Sequence, residues 1–174
     1  MPSRLDTIVH YIIRVVPPEQ LGATKLAKIL WFSDVEHYRA TGQTLTKSDD
    51  YRKRDQGPLH IDFYGTLSRL KNEAAIAERQ VQTPAGLRRE FLWLKHPDVS
   101  DFTGPELATL HSVIDQIRVM TAKEVSDLSH VEPWESAYDG EPLRVTAAAV
   151  QFGDVDDGDM AWAESEYHAV RATA

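Results

Sequence analysis

Apolar residues recur at helical spacing along the first quarter of the chain. The first such stretch ends at Pro17 and Pro18, because proline cannot continue a helix. The second, over residues 24–40, has apolar side chains around most of its circumference, so we expect a central, buried helix. The apolar positions of the two stretches are Leu5, Ile8, Val9, Ile12, Ile13, Val16, Leu26, Ala27, Ile29, Leu30, Trp31, Phe32, Val35 and Tyr38.

Three further stretches also predict helices. One covers residues 62–77, and the other two begin at the capping-box pairs Thr103–Glu106 and Thr121–Glu124. We expect the last of them to end near residue 130, because Pro133 disfavours helix at the residue before it. Residues 78–83 and 88–96 flank a Pro-Ala-Gly turn and predict a β-hairpin. The predicted fold class is therefore mainly α (α+β), a compact helical domain with a small hairpin.

The polar stretches divide the chain further. Residues 43–59 carry mixed charges and no helical pattern, and so long a loop inside a compact domain indicates a functional role. Residues 151–158 are acidic and contain glycine, and apolar residues at helical spacing follow them. We expect a domain over residues 1–150 and an acidic linker with a C-terminal helix over residues 151–174.

Composition narrows the class of protein. No cysteine occurs among the 174 residues, which excludes disulfides, thiolate metal sites and a cysteine nucleophile. The formal net charge of −8 disfavours a nucleic-acid partner, although residues 23–71 alone carry +3 and residues 72–174 carry −11. We see neither a membrane span nor a secretion signal, and expect a cytoplasmic protein. The acidic part could bind a basic partner.

Candidate catalytic groups are sparse. Asp34 and His37 share a helix face and could ligate a metal, yet lone pairs of this kind are ordinarily surface or capping interactions. Ser129 next to His130 does not define an acyl-transfer site, because nucleophile and base are recognised by geometry rather than by adjacency. There is no phosphate-binding glycine loop. We therefore predict neither an enzyme nor a cofactor or metal site.

Three segments resemble the Panacea, or SocA-like, antitoxin domain in order and spacing. They are Lys25-Leu26-Ala27-Lys28-Ile29-Leu30-Trp31-Phe32-Ser33-Asp34-Val35-Glu36-His37, the stretch from Tyr51 to Gly57-Pro58, and Ala122 to His130 followed by Glu132-Pro133-Trp134. The resemblance covers about residues 20–140. It implies an α-rich domain with a small β element that blocks a protein toxin by binding it, and in at least one type delivers that toxin to a protease.

The functional prediction is an antitoxin that neutralises a cognate toxin, encoded next to it, by direct contact. The predicted contact residues lie in the polar loop and near the last motif, and the acidic tail is a further contact region. They are Tyr51, Arg52, Arg54, Gly57, Pro58, His130 and Trp134. Trp134 is the best anchor if it is exposed. The alternatives are a protease adaptor and a metal-dependent hydrolase that uses Asp34, His37 and Glu132.

Overall fold

The computed structural model describes residues 2–84 and 86–151, apart from the side chains of Glu132 and Gln151. The predicted tail therefore lies outside the described residues beyond position 151. Seven α-helices and five strands follow one another in this part of the chain, and a short 3₁₀ helix, Pro18–Gln20, lies between the first two α-helices. In chain order they are α1 Arg4–Val15, α2 Ala23–Thr41, β1 Tyr51–Arg52, β2 Leu59–His60, α3 Phe63–Asn72, β3 Ile76–Thr83, β4 Gly86–Trp93, α4 Gly104–Ile117, α5 Ala122–Leu128, α6 Glu132–Ser136, β5 Pro142–Leu143 and α7 Val145–Gln151.

Helix α2 is the centre of the fold, as its apolar circumference predicts. It packs against α1, α4, α5 and α7, and Leu26, Ile29, Leu30 and Val35 are completely buried. Both capping boxes predicted from the sequence are present, at the starts of α4 and α5. They satisfy backbone N–H groups that would otherwise lack a partner at a helix start. The α+β prediction is confirmed.

Two small antiparallel sheets accompany the helices. The predicted hairpin is confirmed as β3 and β4, with Ile76 opposite Trp93 and Thr83 opposite Gly86. The second sheet, in the order β2-β1-β5, was not predicted. Each of its strands has only two residues, too few for alternation of apolar and polar positions to be visible in the sequence. Its strands tie the polar loop to residues 142–143.

One predicted helix boundary was wrong, whereas the predicted end of α5 near residue 130 agrees with its C-cap at Ser129. Helix α3 ends at Asn72 instead of continuing to residue 77, because Ala74 has a positive φ of 50° and the chain then enters β3. Pro133 does separate two helices, but it also lies in the first turn of α6, where its missing N–H costs nothing. Helical spacing alone does not distinguish a continuous helix from one interrupted by a left-handed residue.

Within the described residues, no helix is both long and apolar enough to cross a bilayer.

Candidate partner-binding site

The three motifs, which are far apart in the sequence, meet at Gly57. Its φ of +98° is in the left-handed region, which favours glycine. A Cβ added there would overlap Ser129 Oγ and would lie 2.9 Å from Lys28 Nζ. Lys28 belongs to the first motif and Ser129 to the third, so Gly57 lets the loop of the second motif pass between them.

Hydrogen bonds fix this meeting point, which we call the Gly57 junction and define as Lys28, Gly57, Pro58, Ser126 and Ser129. Lys28 Nζ donates to the Pro58 carbonyl at 2.7 Å, and the bond is buried. Ser126 Oγ donates to the Gln56 carbonyl at 2.9 Å. The loop backbone is therefore held by α2 on one side and by α5 on the other.

Lys28 is a charged residue with only 2% of its surface exposed. Burial lowers the pKa of its ammonium to about 7, because the charged form loses its hydration. Among the described side chains no carboxylate forms an ion pair with it. Lys28 is part of the first motif but not one of the predicted contact residues, although a lysine between apolar neighbours on a helix that is apolar all round is a recognisable signal.

An aromatic corner, defined as Lys53, His130 and Trp134, adjoins the junction. The rings of His130 and Trp134 are stacked with centroids 3.6 Å apart and planes 3° apart. Lys53 Nζ lies 4.1 Å from the centroid of the Trp134 ring, a cation–π contact. Trp134 Nε1 donates to the Arg54 carbonyl at 3.0 Å, so the corner also holds the polar loop.

The pKa of His130 lies below its usual range. Burial is the largest cause, and the positive charge of Lys28 is the second. The ring is therefore mainly neutral at pH 7, and its Nε2 lies 3.4 Å from Ser126 Oγ. Ser129 Oγ instead donates to the Ser126 carbonyl at 2.7 Å, away from His130. The adjacent serine and histidine thus do not form a nucleophile and base pair in this structure.

The predicted contact residues divide into two groups. Arg54 is exposed, while Arg52, His130 and Trp134 are partly buried. Tyr51 is 1% exposed, and Gly57 and Pro58 are buried as well. Because the second group is buried, its members support the loop, whereas the first group remains at least partly accessible to a partner. A contact between any of these residues and a partner stays a prediction.

Asp34 and Tyr51 form a second buried group beneath the loop. Asp34 accepts hydrogen bonds from Thr46 N at 2.8 Å, Thr46 Oγ1 at 2.7 Å and Tyr51 Oη at 2.7 Å. Burial raises the pKa of Asp34 to about 6, although these hydrogen bonds stabilise the carboxylate and act in the opposite direction. The group anchors the start of the polar loop to α2.

Two of the three side chains in the metal-hydrolase alternative, Asp34 and His37, already have hydrogen-bond partners. Both oxygens of Asp34 already accept hydrogen bonds, and the Nδ1 atom of His37 lies 3.5 Å from Thr109 Oγ1. The Glu132 side chain lies outside the described residues. Among the side chains that are described, no three His, Cys, Asp or Glu residues cluster as a metal site would require.

The site and the fold together define a class of protein: an α+β domain in which the first motif, on a central helix, and the third motif hold between them the polar loop that contains the second. The family model described as "Antitoxin SocA-like, Panacea domain" matches residues 26–135. The chain belongs to this family, and the predicted family resemblance is confirmed. Neither the comparison with curated proteins nor that with solved structures returns a match.

Proposed function

We propose that this protein is an antitoxin that neutralises a cognate protein toxin by direct contact, without catalysis. The observation that carries the proposal is that the first and third family motifs hold the loop that contains the second, and that this loop presents Arg54 outward beside the aromatic corner. Membership of an antitoxin-like family supports the same role. The partner is expected to be encoded in a neighbouring reading frame.

The physical argument is preorganisation. A loop that is already held by α2, α5 and Trp134 loses little conformational entropy on binding, which leaves more of the contact energy as affinity. Arg54 and Trp134 are also of the residue types that dominate binding hot spots. Side-chain hydrogen bonds such as that from Ser126 Oγ to the Gln56 carbonyl would therefore act indirectly, by keeping the loop in its binding conformation.

Co-expression with the product of the neighbouring reading frame tests the proposal. We expect that product to arrest growth alone, and this protein to restore growth and co-purify with it. Arg54→Glu, which reverses an exposed charge, should weaken the complex at least tenfold. Arg39→Glu is the matched control, because Arg39 is also exposed and paired with one carboxylate but lies outside the loop and the corner. A non-toxic neighbour, or toxicity unchanged by this protein, would overturn the antitoxin role.

A half-life measurement distinguishes blockade from delivery to a protease. Under direct blockade the toxin persists as a stable complex after synthesis stops. A toxin half-life shortened by this protein would instead support the adaptor role, in which the same surface delivers a client.

We expect the protein to act in the cytoplasm, as a domain over residues 1–150 followed by an acidic segment that adds contacts to the partner. Deletion of residues 152–174 should then weaken the complex without lowering the melting temperature of the remaining chain. Unchanged affinity after the deletion would confine the contact to residues 1–151.

A further inference from the structure

A cleft of about 450 Å³ opens next to the Gly57 junction. The beginning of α2, the loop from Arg54 to Gly57, and Tyr64 of α3 contribute to its lining. Lys28 forms part of the lining, although almost all of its surface is buried. The cleft therefore brings solvent close to Lys28, an otherwise enclosed residue.

Lys28 has unused hydrogen-bonding capacity at this position. A lysine ammonium has three N–H donors, and the Pro58 carbonyl is its one acceptor among the described residues. Without a counter-ion the buried charge is costly, because burying an ion requires an opposite charge to compensate for lost hydration. A ligand that brought a negative charge would stabilise the ammonium form.

The other charged groups around the cleft are largely balanced. Arg54 and Asp139 pair at 3.7 Å at the mouth, and both side chains are more than half exposed. Asp55 is exposed to water, which screens its charge. His130, whose pKa is lowered in part by the charge of Lys28, is mainly neutral at pH 7. Among the described residues that line the cleft, Lys28 is thus the cation without an ion-pair partner.

Gln56 adds a second polar group to the same lining. Its Oε1 atom accepts a hydrogen bond from Thr24 Oγ1 at 2.6 Å. The amide nitrogen remains available as a donor, since no described residue accepts from it. A buried cation with an amide donor near the mouth matches a carboxylate in charge and in hydrogen bonding.

We propose that the cleft receives a carboxylate side chain, Asp or Glu, of the partner protein, which pairs with Lys28. The inference rests on the proposed function, because the backbone of Arg54 joins the cleft to the aromatic corner and a partner on one would reach the other. Binding is tightest when the ammonium is charged. Affinity should therefore fall as the pH rises from 6 to 9 in the wild type.

The first experiment uses the full chain and a pair of small probes. N-acetyl-glutamate methylamide carries the proposed carboxylate, and N-acetyl-glutamine methylamide is its neutral control. With ¹³Cε-labelled lysine, NMR follows the Lys28 pKa directly. We expect the glutamate probe at saturation to raise that pKa by at least one unit, which corresponds to tenfold tighter binding to the charged form, and the glutamine probe to leave it unchanged. Equal effects of the two probes, or no shift with either, would overturn the proposal.

The second experiment uses the toxic neighbouring product. Lys28→Gln should weaken the complex at least tenfold at pH 6 and remove its pH dependence, whereas Lys71→Gln, an exposed-lysine control, should do neither. The melting temperature of each variant separates lost binding from lost folding. A complex with unchanged affinity in Lys28→Gln overturns this inference and leaves the antitoxin role intact. If the glutamate probe binds at Lys28 but the product of the neighbouring reading frame is not toxic, the antitoxin role is overturned and this inference stands.

Discussion

Gly57 illustrates how much of this molecule depends on single positions. The residue combines a left-handed backbone with close contact on both sides, to Lys28 and to Ser129. Gly86 has a similar φ of +112°, but no atom within 4 Å of an added Cβ. A comparison of the two positions therefore separates the effect of backbone strain from that of steric overlap.

Substitution of the two glycines by alanine should therefore lower the free energy of unfolding by different amounts. Gly86→Ala should lower the free energy of unfolding by about 1–3 kcal/mol through backbone strain. Gly57→Ala should lower it by about a further 1–3 kcal/mol, because the methyl group overfills a packed junction. Denaturant titration of both variants measures the difference. Equal losses would mean that the junction can relax around a methyl group.

Lys28 should make stability depend on pH. Its folded pKa of about 7 lies below the ordinary value of 10.5, so between these values the unfolded chain binds more protons. The free energy of unfolding should then rise with pH across this window, by up to about 1.4 kcal/mol per pH unit.

Lys28→Met isolates this contribution. The variant should lose the rise between pH 7 and pH 9.5, and other titrating groups cancel when the two proteins are compared. Denaturant titrations at the two pH values give the difference. A variant with the same pH slope as the wild type would show that Lys28 is not the buried titrating group.

Helix α5 is short, yet it supplies Ser126 to the junction and places Ser129 there as its C-cap residue. Its start depends on Thr121, whose Oγ1 accepts a hydrogen bond from Glu124 N at 3.2 Å. A helix of seven residues is too short to be stable by itself in water, so its cap and its packing on α2 hold it together.

Substitution of the cap tests the contribution of α5. Thr121→Ala should lower the free energy of unfolding by about 1 kcal/mol, because one backbone N–H loses its acceptor. Thr121→Ser keeps a capping hydroxyl and should stay close to the wild type. Thermal unfolding followed by circular dichroism compares the three proteins. A serine variant as unstable as the alanine variant would point to packing of the threonine methyl instead.

The charge of the whole chain bears on how fast it finds a partner. Its two parts carry opposite net charges, +3 over residues 23–71 and −11 over residues 72–174. If the acidic part steers a basic partner, the association rate constant should fall at least about tenfold between 50 and 500 mM NaCl. Stopped-flow mixing with the toxic neighbouring product measures this rate. A rate that does not depend on salt would exclude long-range steering.

Some elements of the fold can be predicted from the local sequence and others cannot. Periodicity and capping boxes predicted α1, α2, α4, α5 and the hairpin, because these elements are long enough or marked enough to show their own pattern. The same reasoning missed the second sheet and continued α3 too far. Strands of two residues and a left-handed Ala74 depend on contacts with distant parts of the chain.

The sequence by itself determined the family, the class of fold and the neighbourhood of the polar loop, because each is encoded in local spacing and motif order. The tertiary structure alone decided which residues of that neighbourhood are exposed. It buried Tyr51, Gly57 and Pro58, left Arg54 in solvent, and brought Lys28 to Gly57 and Ser129. Burial and charge compensation depend on which segments meet in space, and the meeting of α2, the loop and α5 is a property of the folded chain.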